Sequence, residues 1–212
     1  MSGEPRFVIQ QALGDRRDFA LLGATPALMQ PRFGALAPLR AGHRYIVGRG
    51  GLYVEARSAV LHAVACVAPS AASLPFGVVT PFLTLPEGGL PRGLIEEAVV
   101  RSRACLPDEW AGVFVYEASG YRLVEPEVLS RSAGHVSYGR SGIDDETVVV
   151  DVHSHGAAAA FFSAQDDEDD TARGGFYLAV VLGEVTAESP SVAARLVVHG
   201  HFATVTPVIG VP

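Results

Sequence analysis

The sequence predicts an α+β fold preceded by a small β-rich accessory region. Three observations carry this expectation. "LPRGLIEEAVVRSRACLPDE" repeats apolar residues near helical spacing, at Leu94, Ile95, Ala98, Val99 and Cys105. "TVVVDVHSH" is dense in β-branched residues, which suits a buried strand. The late runs "FYLAVVLGEV" and "AARLVVHGHFATVTPV" read as further strands, after a short polar stretch suited to a helix. Helix, strands, short helix and strands in that order describe an α+β layer architecture.

The first forty residues are rich in Pro, Gly and Ala and carry no sustained period. "RYIVGRGGLYVEA" then offers two β-prone runs around Gly48–Gly51, the pattern of a hairpin. The glycines lack the Lys-Ser/Thr that a phosphate-binding loop needs, so a turn explains them better. Pro and Gly cluster in "PFLTLPEGGLPRG", which marks a boundary. The expected division is residues 1–89 as an accessory region containing the hairpin and residues 90–212 as the main domain. Within the latter, Pro107 lies just beyond the helix, and "WAGVFVYEASGYRLVEPEVLS" gives two strands around Ala118–Gly120. The acidic helix is expected to begin near Ser163 and to end by Gly174–Gly175.

Composition narrows the class. The chain has 212 residues, 49% of them hydrophobic and 18% charged, enough for an ample core. A formal charge of −7 without any Lys/Arg block argues against direct nucleic-acid binding. No run approaches the ~18 apolar residues of a membrane span, and the first residues lack the apolar core of a secretory signal. Cys66 and Cys105 stand outside any CxxC motif and read as reduced thiols of a cytoplasmic protein.

The reactive side chains concentrate in "VDVHSHGAAAAFFSAQDDEDD". Residues i and i+2 of a strand emerge on one face, so His153 and His155 can address a single ion while Ser154 turns away. A catalytic zinc site takes three protein ligands and leaves a position open. Asp166, in the first turn of the acidic helix after a small apolar linker, is suited to be the third ligand. "SAQD" also has the form of a capping box, with Ser163 as the cap and Asp166 accepting back. Asp167 to Asp170 read as a solvated helix start opposing the macrodipole. A second His-x-His, His199 and His201, has no following Ser or Asp at the same distance and reads as structural. His43, His62 and His135 stand alone and receive the same reading. "YGRSGID" lacks the GxSxG elbow of a serine hydrolase.

His153-x-His155, seven residues, Ser163, two residues, Asp166 resembles the motif of the JAMM (MPN+, JAB-domain) metalloprotease family. The family's remaining element, an upstream glutamate with a glycine soon after, is matched by Glu109 and Gly112 in "LPDEWAGVFV". Asp108 is the obvious rival, and the spacing to Gly112 favours Glu109. The resemblance covers residues 90–212 and implies a JAB/MPN-like mixed sheet. It further implies zinc held by His153, His155 and Asp166, Glu109 as general base, and Ser163 as donor to a developing oxyanion. The implied reaction is hydrolysis of an amide or isopeptide bond of a ubiquitin-like protein or its conjugates. More narrowly the chain resembles the PRTRC system protein A group, bacterial proteins encoded beside ThiF-like (E1-type) and ubiquitin-like partners; E2-like partners belong to the same expectation. The alternative is a non-catalytic MPN-like scaffold or binding module in such a system. Loss of a ligand or of the glutamate would mark that alternative, and none is missing here.

Overall fold

A computed structural model describes residues 25–205. The chain divides into two compact units, residues 1–58 with 62–83 and residues 59–61 with 84–212.

The first unit is built on one sheet of five strands in sequential order: β1 (Ala27–Met29), β2 (Gly42–Gly48), β3 (Gly51–Arg57), β4 (His62–Pro69) and β5 (Phe82–Thr84). The expected hairpin is present as β2 and β3, paired antiparallel from Gly42↔Arg57 to Gly48↔Gly51. Gly51 adopts φ 139, where a side chain would also strike the backbone of Ala68 and Pro69. The sequence reading did not place β1, β4 or β5. β1 pairs with β2 in parallel over only three residues, too short to leave a periodic signature. On this sheet Arg44 Nε donates to Glu55 Oε2 at 2.6 Å, and His62 Nε2 lies 3.0 Å from Glu55 Oε1.

The second unit is α+β, as its sequence predicts. Its six-stranded mixed sheet runs β13-β12-β11-β10-β6-β7. The strands are β6 (Ala111–Glu117), β7 (Gly120–Val124), β10 (Val148–Ser154), β11 (Phe176–Gly183), β12 (Ser191–Val198) and β13 (His201–Thr204). A separate hairpin, β8 (Glu127–Ser132) and β9 (His135–Gly139), lies between β7 and β10 in sequence. Helix α1 (Arg92–Cys105) packs against β6 and β7. Its expected apolar stripe buries only Ala98 fully, with Ser102 beside it; small residues let the helix approach closely while Val100 faces out.

β10 is the pivot of this sheet. It pairs antiparallel with β6 and in parallel with β11. Val149, Val150 and Val152 are completely buried, as a strand covered on both faces requires. A parallel neighbour needs a crossover, and the crossover here is the linker 155–163 followed by helix α2 (Ala164–Arg173). The last residues of β10 and the first turn of α2 therefore meet at the strand's C-terminal end, the usual location of sites in parallel α/β units. Val113, Val115, Val148, Tyr177, Ala179 and Val197 form a core cluster of the unit.

Candidate metal centre

His153 sits in register with Ala111 of β6 and Val181 of β11. His155 has just left the strand, but its backbone N–H donates to Leu182 at 2.8 Å and so prolongs the ladder with β11. Ser154, between them, is fully buried on the opposite face and accepts a hydrogen bond from the Trp110 amide at 2.9 Å. The alternation expected of a strand thus delivers both imidazoles to one side.

The linker "GAAAA" is held flat against the end of β11. Glu184 N–H donates to the Ala158 carbonyl, Val185 N–H to the Gly156 carbonyl, and Ala160 N–H to Ser191 Oγ. Gly183 permits this approach, because a Cβ there would collide with the backbone of Ala158–Ala160. The linker then delivers Ser163 as the N-cap of α2, with the expected capping box formed in both directions. The Asp166 amide donates to Ser163 Oγ at 3.2 Å, and the Ser163 amide donates to Asp166 Oδ2 at 2.6 Å. The Ser163 hydroxyl also donates to Asp166 Oδ2, at 2.8 Å. One carboxylate oxygen is thereby committed to the cap, leaving Oδ1 to face His153 at 3.2 Å.

His153 Nε2 and His155 Nε2 lie 3.2 Å apart, and the ligand atoms of His153, His155 and Asp166 all lie within 4.8 Å of one another. Donors about 2.0–2.1 Å from a tetrahedral centre are separated by roughly 3.3 Å. The His153–His155 and His153–Asp166 separations match this, while His155 Nε2 lies 3.9 Å from Asp166 Oδ2, so two imidazoles and one carboxylate are gathered as a zinc-type ligand set. Among the described residues, no other group of three such side chains converges in this way. The His155 ring packs edge-on against Phe161, with ring centres 4.6 Å apart.

Electrostatics express the same convergence. For Asp166, burial would raise the pKa, yet the His153 hydrogen bond and charge, with the Ser163 bonds, hold it well below the ordinary carboxylate range. Burial would lower the His153 pKa, but the hydrogen bond and charge of Asp166 outweigh it and raise it. His155 moves down, through burial and the neighbouring charge of His153.

Glu109 lies just ahead of β6, its amide donating to the Ser132 carbonyl at 2.8 Å. It is buried, and burial raises its pKa above the usual value. Glu109 lines the same pocket of about 510 Å³ as His153, His155, Ser163 and Asp166. Asp108 is not among the residues lining that pocket; it is directed toward Arg131 at 3.9 Å. The glycine after the glutamate has a local cause. The Trp110 ring packs over Gly112, where a Cβ would collide with the indole and with Leu123. Trp110 is pinned in turn by mutual hydrogen bonds with Ser154 and by Nε1 donating to Glu125 at 3.0 Å.

The structure also supplies a wall that the sequence did not announce. Ala133–Tyr138, from the end of β8 through most of β9, line the pocket, so the lone His135 lies at the site's edge. Below it, Asp151 is buried on the same strand as the histidines. It accepts from the Tyr138 hydroxyl and from the guanidinium groups of Arg140 and Arg173. Burial would raise the Asp151 pKa, but these arginines lower it. The only signal of this network in the sequence was an acidic residue inside a valine run.

His199 and His201 do not join the centre. His199 has φ 45 in the turn between β12 and β13, so the pair does not occupy alternate positions of one strand. Of the acidic run, Asp167 and Asp170 are not merely solvated: Arg195 is bonded to both, and Asp170 is buried. This corrects the reading of 167–170 as a wholly solvated helix start. An arginine 25 residues away in sequence turns one face of the helix inward.

Comparison with known proteins finds separate matches for the two parts of the chain. Residues 15–86 match a domain of unknown function (DUF2016). Among solved structures, the chain is similar to protein DSY2949 from Desulfitobacterium hafniense, determined in solution. The two are 19% identical with a TM-score of 0.43, over 53% of this chain and 86% of that one. No curated protein matches. Residues 91–197, half of the sequence and all of the elements that build the centre, match the prokaryotic homologs of the JAB domain, and the chain belongs to that family.

Proposed function

We propose that the protein is a zinc-dependent JAMM-type isopeptidase or peptidase that hydrolyses amide or isopeptide bonds of a ubiquitin-like protein or its conjugates. The observation that carries this reading is the convergence of His153, His155 and Asp166 in one pocket with the buried carboxylate of Glu109. His153 Nε2, His155 Nε2 and Asp166 Oδ1 would hold the metal. When bound, zinc supplies Lewis-acid polarisation of a carbonyl and acidifies water. Glu109 takes a proton from the attacking water and delivers it to the leaving nitrogen, a task suited to a carboxylate whose pKa burial has raised. Ser163 serves first as the cap that aims Asp166, because its proton is donated to Oδ2. Donation to a developing oxyanion requires that hydroxyl to turn away from Oδ2.

From the resemblance to the PRTRC system protein A group we infer a substrate in a bacterial ubiquitin-like system, with ThiF-like and E2-like proteins as candidate partners. A cytoplasmic location accords with the unpaired thiols of Cys66 and Cys105. Among the described residues no helix is long and apolar enough to cross a membrane. The test is metal analysis of the purified protein together with cleavage of a ubiquitin-like conjugate. Bound zinc with cleavage supports the proposal. Bound zinc without cleavage favours the scaffold reading, and full cleavage by metal-free protein overturns the metal mechanism.

A further inference from the structure

Arg195, in the middle of β12, is only 6% exposed. Its guanidinium carbon lies 4.0 Å from the centre of the Phe162 ring and 3.9 Å from that of Phe202. In its own plane, Nε and Nη2 donate to Asp170 Oδ2 at 3.0 and 2.6 Å, and Nη1 donates to Asp167 Oδ1. The Tyr177 hydroxyl donates to the other Asp170 oxygen at 2.7 Å. The guanidinium therefore uses its faces and its edges at once.

The residues it touches straddle the cap of α2. Phe162 immediately precedes the N-cap Ser163, while Asp167 and Asp170 lie one turn apart on the helix, directly after Asp166. The stack on Phe162 fixes how the linker enters the helix. The bonds to Asp167 and Asp170 fix the helix's rotation about its axis. Both are held by one rigid group, and in this arrangement the Ser163–Asp166 box turns Asp166 Oδ1 toward His153 at 3.2 Å. No contact of Arg195 with His153, His155 or Glu109 is involved.

We propose that Arg195 is a positioning residue that sets the aim of Asp166 and thereby the metal affinity of the centre. The proposal rests on the metal-binding reading above. Lysine at this position keeps the charge but supplies neither the planar stack nor the forked bonds.

The test uses the full-length protein with Arg195→Lys, Phe202→Leu and Asp167→Asn. Cobalt(II) affinity is measured by chelator competition, alongside the visible spectrum of the cobalt form. Hydrogen exchange of the Asp166 amide, which donates to Ser163 Oγ, is measured in metal-free protein. Arg195→Lys is expected to weaken cobalt binding about 10- to 100-fold, the range for groups that orient ligands, and to alter the spectrum. It is also expected to speed exchange at Asp166 while leaving the β10 amides protected. Phe202→Leu and Asp167→Asn should shift both readouts in the same direction by smaller factors.

Wild-type cobalt affinity in Arg195→Lys, or exchange accelerated uniformly over the whole unit without loss of affinity, overturns the proposal. If Arg195→Lys does not fold, the other two variants decide, and unchanged values in both overturn it. If the wild-type protein binds no cobalt, the metal reading fails; selective exchange at Asp166 then still supports the control of its orientation, and unselective exchange refutes it.

Discussion

The chain contains two His-x-His stretches, and they have opposite fates. His153 closes a buried strand, and His155 continues that strand's pairing through its amide bond to Leu182. Their Nε2 atoms end 3.2 Å apart. His199 instead takes φ 45 in a turn, where its amide donates to Gly175 at 2.8 Å and its ring lies beside Phe176. The identical spacing is read through different backbones. Two residues apart means one face only while both remain extended.

That contrast can be broken most severely at His155. Replacing it with alanine removes one of three proposed ligands, so metal affinity should fall by more than about 100-fold, beyond the range for groups that only orient ligands. His201→Ala should change affinity less than about twofold. Chelator competition on both variants measures the difference, and equal losses would erase the distinction between the pairs.

A second change separates metal retention from chemistry. Glu109→Gln should keep the metal content of the wild-type protein and lower hydrolysis of a ubiquitin-like conjugate by roughly 10²- to 10⁴-fold. An unchanged rate would remove Glu109 from the mechanism. A third change tests why the first pair has a third partner at all. Gly183→Val pushes a side chain into the linker that leads to Asp166, and should destabilise the unit by about 2 kcal/mol or more. Urea denaturation reads the stability, and metal affinity should fall with it. The smallest effect belongs to His199. Asparagine tolerates its left-handed backbone well, so His199→Asn should alter stability by less than about 0.5 kcal/mol by the same measurement. A large loss there would show that the turn depends on the imidazole.

What the sequence disclosed of this site was mainly what local geometry controls. The Ser163–Asp166 spacing encodes a capping box because all of its partners lie within one helical turn. The valine run of β10 announces a buried strand, and a strand dictates where two alternate histidines point. Glu109 became legible through resemblance, and the collision between Trp110 and Gly112 supplies the physical reason for its glycine. The pocket wall was not legible. Every residue of β8 is exposed, so no alternation of apolar and polar residues marks the strand, and its hold on the site is the Ser132 carbonyl beneath the Glu109 amide. Arg195 was hidden for a related reason. Within "AARLVV" it looks like an interruption, and the carboxylates that need it lie in another element. The three short or irregular strands of the first unit escaped because their pairing, not their pattern, defines them.

The packing of Trp110 has a spectroscopic consequence. It is the chain's only tryptophan, 4% exposed, and it sits one residue from Glu109 with its indole N–H held by Glu125. Selective excitation of the indole therefore reads a single corner of the second unit and is blind to the five-stranded sheet of the first. Far-ultraviolet circular dichroism reads both units. Unfolding curves that diverge between the two signals would reveal independent melting of the units, and the emission maximum alone would tell whether the surroundings of Glu109 remain buried.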